Sequence, residues 1–346
     1  MIINQLTNLV NKKISTHLGY LLSKPFQVSL NITYRCNARC QMCNCWTEKH
    51  DYLEKDEIIN MIDQLHNWLG SGFFLNISGG EPLLFKDIFY VFNHCRDLGI
   101  FCKISTNGFA FTERNLEKIL DSRLPYLSVS LDSHIQSLHD KIRGVDGIYN
   151  RAINGIKYLT KNGNIKVGVA SVLMKDNLST FADSVKFFLD LPINRYLFQP
   201  IRAYNLPIEK WSEYEYWVHD KARLLNLSEQ LLDIKRSESR FFNSVNDIKG
   251  LYDYFINPAD YRIKNCTIGY DRLSISHTGE VKLGCSNYDS IGNIKNGKIS
   301  DFWYSEKAMK IRNKMKACNI PCTSNCNKDL SAIEKLQRFY HIRIMN

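Results

Sequence analysis

The sequence predicts an α/β fold organised around a parallel sheet. Two observations carry this. Between residues 27 and 201, six short runs with strand character alternate with stretches whose apolar residues recur at helical intervals. Strands separated by helices of that length are joined by βαβ crossovers, which make their sheet parallel. The 346 residues, at about 100–200 per domain, leave room for a second unit after this one.

Residues 1–26 form a basic segment in which Ile3, Leu6, Val10 and Ile14 recur at helical spacing beside Lys12, Lys13 and Lys24. It reads as a helix packed on the body of the protein, with peripheral membrane contact as the alternative. Residues 28–33, Val-Ser-Leu-Asn-Ile-Thr, alternate with period two and give the first strand. Further strands are expected at 73–78, 101–106, 126–132, 165–173 and 195–201. The helices between them show stripes at Ile58, Ile62, Leu65 and Leu69, then Ile88, Val91, Cys95 and Leu98. Ile153, Ile156 and Leu159, followed by Phe181, Val185 and Phe188, continue the series. Residues 27–202 are thus one unit. Residues 203–260 read as a helical bridge, aromatic at Tyr204, Trp211, Tyr214, Tyr216 and Trp217 and charged and helical through about Ser239. Residues 261–346 read as a cysteine-bearing unit of turns and short strands, with a hairpin turning at Gly279.

Composition narrows the class. Hydrophobic residues are 44% and charged residues 23%, ordinary for a folded domain, which excludes disordered and fibrous proteins. Lys+Arg 45 against Asp+Glu 35 gives +10, but the positive charge is scattered and no nucleic-acid-binding module accompanies it. No run approaches the roughly 18 consecutive apolar residues of a spanning helix. The N-terminus lacks the apolar core and cleavage site of a signal peptide. The expected compartment is the cytoplasm, where the eleven cysteines stay reduced and clustered thiols bind metal or do chemistry.

Directly after the first strand comes Cys36-Asn-Ala-Arg-Cys40-Gln-Met-Cys43. Three thiolates at such spacing can converge on one centre and leave one metal position open to a small chelating ligand, as in a four-iron cluster. A structural zinc, with Cys45 or His50 as fourth ligand, is the alternative. The ends of the next strands favour the cluster. They read Ser78-Gly79-Gly80-Glu81-Pro82, Thr106-Asn107-Gly108 and Ser128-Val-Ser130-Leu-Asp132, small and polar where an α/β sheet binds ligands. The glycines admit a close backbone approach, and Glu81 offers acceptors to a protonated amine.

These residues resemble the radical S-adenosylmethionine (SAM) enzymes. The likeness rests on Cys36, Cys40 and Cys43 as C-x3-C-x2-C and on Ser78, Gly79, Gly80, Glu81 and Pro82 as the SAM-amine motif, and it extends over about residues 27–201. One departure is Met42, where the family often has an aromatic residue. The resemblance implies a partial (β/α)6 TIM-like barrel whose three cysteines hold a 4Fe–4S cluster, with SAM on the open iron. It further implies that Thr106, Asn107, Ser130 and Asp132 line the SAM pocket and that Arg143 pairs with the SAM carboxylate. The chemistry implied is one-electron cleavage of SAM to a 5′-deoxyadenosyl radical that abstracts hydrogen, fed by an electron donor such as flavodoxin or ferredoxin.

The last unit carries Cys266, Cys285, Cys318, Cys322 and Cys326. The turn at Gly279 brings the first two together, and Pro321 keeps the last three off one regular helix. This segment resembles the SPASM extension of the same enzymes, or its shorter Twitch form. Five cysteines imply one auxiliary 4Fe–4S cluster, held by Cys266, Cys285 and two of Cys318, Cys322 and Cys326; zinc is the alternative. The interval from Gly279 to Cys285 is one residue longer than the common pattern. Cys95 and Cys102 read as core residues.

For the reaction, the first reading is an oxidoreductase-like oxidation or epimerisation of a small molecule such as a sugar, amino acid or secondary metabolite. A peptide- or protein-modifying maturase is the alternative, although only about 26 residues precede the first strand. A nucleic-acid-modifying enzyme and a non-catalytic electron carrier stand further off.

Overall fold

Alternation decides this fold. In a parallel sheet covered on both faces the strands read as near-continuous apolar runs; here polar residues recur on one face of the central strands. Residues 7, 10–16, 21–48, 52–203, 206–261 and 266–322 are described in the computed structural model of the chain. Six parallel strands follow one another in it: β1 (Gln27–Thr33), β2 (Phe74–Gly79), β3 (Phe101–Thr106), β4 (Tyr126–Ser130), β5 (Lys166–Leu173) and β6 (Arg195–Pro200). Each lies within a few residues of its expected range. The fourth stops at Ser130, before Asp132, although Leu131 still donates to the carbonyl of Ala170.

On the outer face Val28, Leu30, Ile32, Leu75, Ile77, Ile104, Leu127, Val129 and Val169 are buried. Against them pack α1 (Lys55–Leu69), α2 (Ile88–Asp97), α3 (Glu113–Asp121), α4 (Gln136–Arg143), α5 (Ile148–Asn162) and α6 (Phe181–Asp190). The expected stripes are the buried ones: Ile58, Ile62 and Leu65 on α1, Val91 and Cys95 on α2, Ile153, Ile156 and Leu159 on α5. Each such aliphatic side chain contributes about 1.5–3 kcal/mol on burial. The α1 helix starts in a capping box between Glu54 and Glu57 and stops at Gly70, whose φ is 66°. The inner face carries Ser29, Asn31, Asn76, Ser78, Ser105 and Ser128, none of them fully buried. It is the concave side of a partial barrel, the radical SAM architecture.

Two aromatic expectations separate. Trp211 and Trp217 are buried around Tyr254, with ring centroids 5.9 Å from each other and 6.2 and 5.3 Å from Tyr254; they are core. Tyr204 lies outside the described residues, as do Ile3, Leu6, His50 and Cys326. The bridge contains α7 (Lys221–Ser237), α8 (Val245–Lys249) and α9 (Leu251–Ile256).

The hairpin expected around Gly279 forms, β7 (Arg272–Ile275) against β8 (Glu280–Lys282), with Gly279 at φ 88°. It does not stand apart. The β7 strand runs parallel to β1, and β9 (Gly292–Asn293) follows β8, so one sheet has the order β6-β5-β4-β3-β2-β1-β7-β8-β9. Helices α10 (Ile299–Tyr304) and α11 (Glu306–Lys316) come next. Residues 10–16 are helical and held to this end of the chain: Lys12 pairs with Asp271, Lys316 donates to the carbonyl of Thr16, and Trp303 to that of Ser23.

Candidate active site and metal centres

The cysteine loop is clamped from two sides. On one, Gly80 donates its N–H to Thr33 at 2.7 Å and Glu81 to Arg35 at 2.8 Å. On the other, Arg39 donates to Arg143 and Gln41 to Ile142, both at 3.0 Å. This explains the double glycine. A Cβ would sit 2.2 Å from the Thr33 carbonyl at Gly79 and 2.3 Å from that of Arg35 at Gly80. The glycines thus admit a close approach of the loop itself.

Glu81 is held in the same region. It is fully buried, and its oxygens accept from Thr106 Oγ1 (2.7 Å), the Asn107 N–H (2.8 Å) and the Leu83 N–H (3.2 Å). Burial pushes its carboxyl up to about 7 against those hydrogen bonds. Those bonds fix the turn after β3 beside the loop. Pro82 opens the short helical turn that follows.

Two strand ends reach the thiols. Asn107 Nδ2 lies 3.8 Å from Cys36 Sγ and donates to Asn37 Oδ1 at 2.8 Å, while its Oδ1 accepts from Phe109. Arg143 Nη1 lies 3.8 Å from Cys40 Sγ, and its Nε meets Asp132 Oδ2 at 2.6 Å. Asp132 is fully buried; its Oδ1 accepts from the Val172 N–H at 2.8 Å and its carbonyl from Asn177. Its own N–H donates to His139 Nδ1 at 3.1 Å, and burial holds that imidazole neutral, down to about 4. Asp132 therefore orients Arg143, and the arginine's charge reaches the cysteine loop. Ser78 donates to Asn31 Oδ1 at 3.0 Å on the inner face, where Ser130 also stands half-buried.

Burial pushes the Cys36 thiol up to about 11 and raises Cys40, where Arg143 opposes it. Cys43 is lowered to about 6, chiefly by its hydrogen bond with Cys45, whose sulfur is 3.3 Å away. Cys45 itself is raised. A 4Fe–4S cluster held by three thiolates keeps one iron open to a small chelating ligand. Three cysteines on one pinned loop, a cationic arginine beside them and polar strand ends form a donor set and cradle that fit the cluster and SAM.

Among the described residues the C-terminal cysteines come from three places. Cys266 precedes the hairpin, Cys285 ends it, and Cys318 and Cys322 follow α11. The charges of Cys318, Cys285 and Cys266 act on Tyr288, and those of Cys322 and Cys318 on Cys285, which makes the four one neighbourhood. Burial raises the Cys285 thiol, and Arg202, two residues past β6, opposes it. Cys95 and Cys102 are buried against each other in the outer layer. Sequence reasoning missed His139, Asn177 and Asn37, because none bears a local signal and each acts through a partner distant in the chain or on another element.

Fold and site together define a protein that presents three loop cysteines at the carboxyl ends of a partial barrel. Residues 30–188 match the radical SAM superfamily and residues 266–327 the SPASM iron–sulfur cluster-binding domain. The chain is a radical SAM protein with a SPASM extension, domains that imply 4Fe–4S clusters and SAM binding. It is similar to the AdoMet-dependent heme synthase of Oleidesulfovibrio alaskensis, 25% identical over 293 residues covering 80% of this chain and 74% of the relative. Similarity to the PqqA peptide cyclase of Bradyrhizobium diazoefficiens is also 25%, over 300 residues covering 82% and 74%. Among solved structures, Streptococcus suis SuiB bound to its precursor peptide SuiA shares the fold, with TM-score 0.66, 20% identity and coverage of 89% and 70%.

Proposed function

We propose that this protein is a peptide-modifying radical SAM enzyme, with Cys36, Cys40 and Cys43 holding the SAM-binding cluster and an auxiliary cluster on Cys266, Cys285 and two of Cys318, Cys322 and Cys326. The observation that carries the peptide reading is the match to a peptide cyclase across both metal domains, 82% of the chain. It replaces the small-molecule oxidation or epimerisation expected first. The heme synthase relative, equally similar, keeps a small-molecule substrate as the second reading.

When bound, the cluster and SAM supply a 5′-deoxyadenosyl radical able to take an unactivated hydrogen. The chain's own residues supply position and field. Arg143, oriented by Asp132, offers a guanidinium fork to the SAM carboxylate. With the Glu81 carboxyl occupied, the SAM amine falls to the backbone carbonyls of the Gly79–Gly80 turn. Thr106, Asn107 and Ser130 border the pocket, and Asn107 fixes the loop around Cys36. The inner face of β1–β6 is then the substrate channel. Thiolate clusters need a reducing compartment, which keeps the cytoplasm as the expected location, with a flavodoxin- or ferredoxin-type donor.

Anaerobic reconstitution tests this. Iron and sulfide for two clusters, 5′-deoxyadenosine formed on reduction with SAM, and a mass change in a peptide encoded beside the gene are the expected results. Iron for one cluster would remove the auxiliary site. 5′-Deoxyadenosine coupled to a small molecule, with every peptide unchanged, would restore the earlier reading.

A further inference from the structure

At the amino ends of β3 and β4, away from the cysteine loop, lies a cavity of about 310 Å³ that none of the roles above uses. That is the lower end of ordinary ligand pockets, about 300–1,000 Å³. Its apolar lining includes Phe92 on α2, Ile100 and Phe101 at the start of β3, and Leu124 before β4, all buried. Both rings are held by edge-to-face contacts, Phe101 with Phe74 at 5.3 Å and Phe92 with Phe89 at 5.9 Å. The apolar walls are therefore in place before anything enters, which lowers the cost of binding.

Two arginines also line the cavity, and they differ. Arg96, near the end of α2, donates from its guanidinium to Asp97 at 3.0 and 2.8 Å and to Asn93 at 3.0 Å. Arg123, in the turn between α3 and β4, makes no side-chain hydrogen bond, ion pair or ring contact among the described residues. Its backbone is left-handed, at φ 52°, and no other described residue except glycine is so. A turn that leaves a helix ordinarily has glycine in that conformation, because a Cβ makes it costly. No contact of the Arg123 guanidinium within the described chain offsets the cost. With Arg96 balanced by Asp97, one unmatched positive charge stands beside an apolar, aromatic hollow.

We propose that this cavity binds an aromatic carboxylate, its ring against Phe92 and Phe101 and its acid group on Arg123. A guanidinium fork matches a planar carboxylate in two-point contact, and the phenyl walls favour an aromatic body. A free aromatic acid and the carboxyl-terminal aromatic residue of a peptide share this chemistry. The β3 strand runs five residues from Phe101 to Thr106, about 16 Å at about 3.3 Å per residue. The occupant is thus held apart from the cysteine loop, and its role is recognition rather than reaction.

Calorimetric titration of the anaerobic holoenzyme with SAM bound tests this. The probes are hydrocinnamate, N-acetylphenylalanine, its neutral counterpart N-acetylphenylalanine amide, and acetate. Both aromatic acids are expected to bind at least about tenfold more tightly than the amide or acetate, a difference of about 1.4 kcal/mol. Arg123→Gly should weaken both acids by about tenfold without lowering the unfolding temperature of the unliganded protein, since glycine suits that backbone. Arg123→Lys, which keeps the charge but not the fork, should retain part of the affinity. Tighter binding of hydrocinnamate points to a free acid, and tighter binding of N-acetylphenylalanine to a peptide terminus. Equal binding of acid and amide, aromatic acids no tighter than acetate, or acid binding indifferent to Arg123→Gly would overturn the proposal. A lower unfolding temperature of Arg123→Gly would assign the arginine to the fold and overturn it as well. Peptide modification is read separately by mass, so this site and the peptide reading can fail independently.

Discussion

The loop at residues 36–43 and the C-terminal cysteines solve one problem by different routes. In the first, three thiols fall within eight consecutive residues, and the fold has only to pin that loop. It does so with backbone hydrogen bonds to the end of β2 and to the end of α4. In the second, the ligands come from the approach to a hairpin, its exit and the stretch after a helix. Their meeting depends on β7 pairing with β1 and on α11 packing back. A local site survives small shifts elsewhere in the molecule. An assembled one is only as good as the packing that brings its pieces together.

The sharpest way to break this contrast is to remove one cysteine from each region. Cys36→Ala is expected to abolish 5′-deoxyadenosine formation, with loss of the iron of the first cluster only. Cys285→Ala should cost the iron and sulfide of the second cluster while SAM cleavage persists and substrate product is lost. If Cys285→Ala abolished SAM cleavage as well, the two regions would be one functional unit.

A smaller effect is expected from Arg143→Gln, which keeps a polar side chain but shortens it, removes the charge beside Cys40 and leaves Asp132 buried without its partner. SAM cleavage should fall by about 10–100-fold, the usual range for residues that support metal ligands. The unfolding free energy should drop by about 3–5 kcal/mol, because one half of a buried pair remains. Unchanged cleavage would mean that the loop needs only its backbone clamps.

The smallest effect concerns the inner face. Below about pH 8 Lys103 is protonated in both the folded and the unfolded chain, and the folded state bears the cost of the buried charge. Above that, the folded chain releases the proton first. The unfolded chain then binds more protons, so stability rises with pH until the ordinary lysine value of about 10.4. Lys103→Met should flatten this rise in denaturant titrations between pH 8 and 10. A slope unaffected by the substitution would place the repulsion elsewhere.

Much of this was legible in the sequence. The period-two pattern at 28–33 and the stripes from Ile58 to Phe188 gave strands and helices near their observed ends, because burial on one face writes itself into spacing. Cys36, Cys40, Cys43 and the run from Ser78 to Pro82 identified the chemistry, because a short loop carries its ligands in sequence order. What Glu81 does was not legible. A carboxylate in a ligand-binding motif looks available until its three hydrogen-bond partners are in place.

By itself, then, the sequence determined the local elements, the loop that gathers three thiols and the polar strand ends beside it, since all depend on neighbours within a few residues. Only the tertiary structure decided that the hairpin extends the barrel sheet, that four scattered cysteines share one neighbourhood, and that the charges of Arg195 and Arg272 reach Lys103. Those facts depend on strand register and sheet curvature, which bring together residues far apart in the chain and leave no spacing to read.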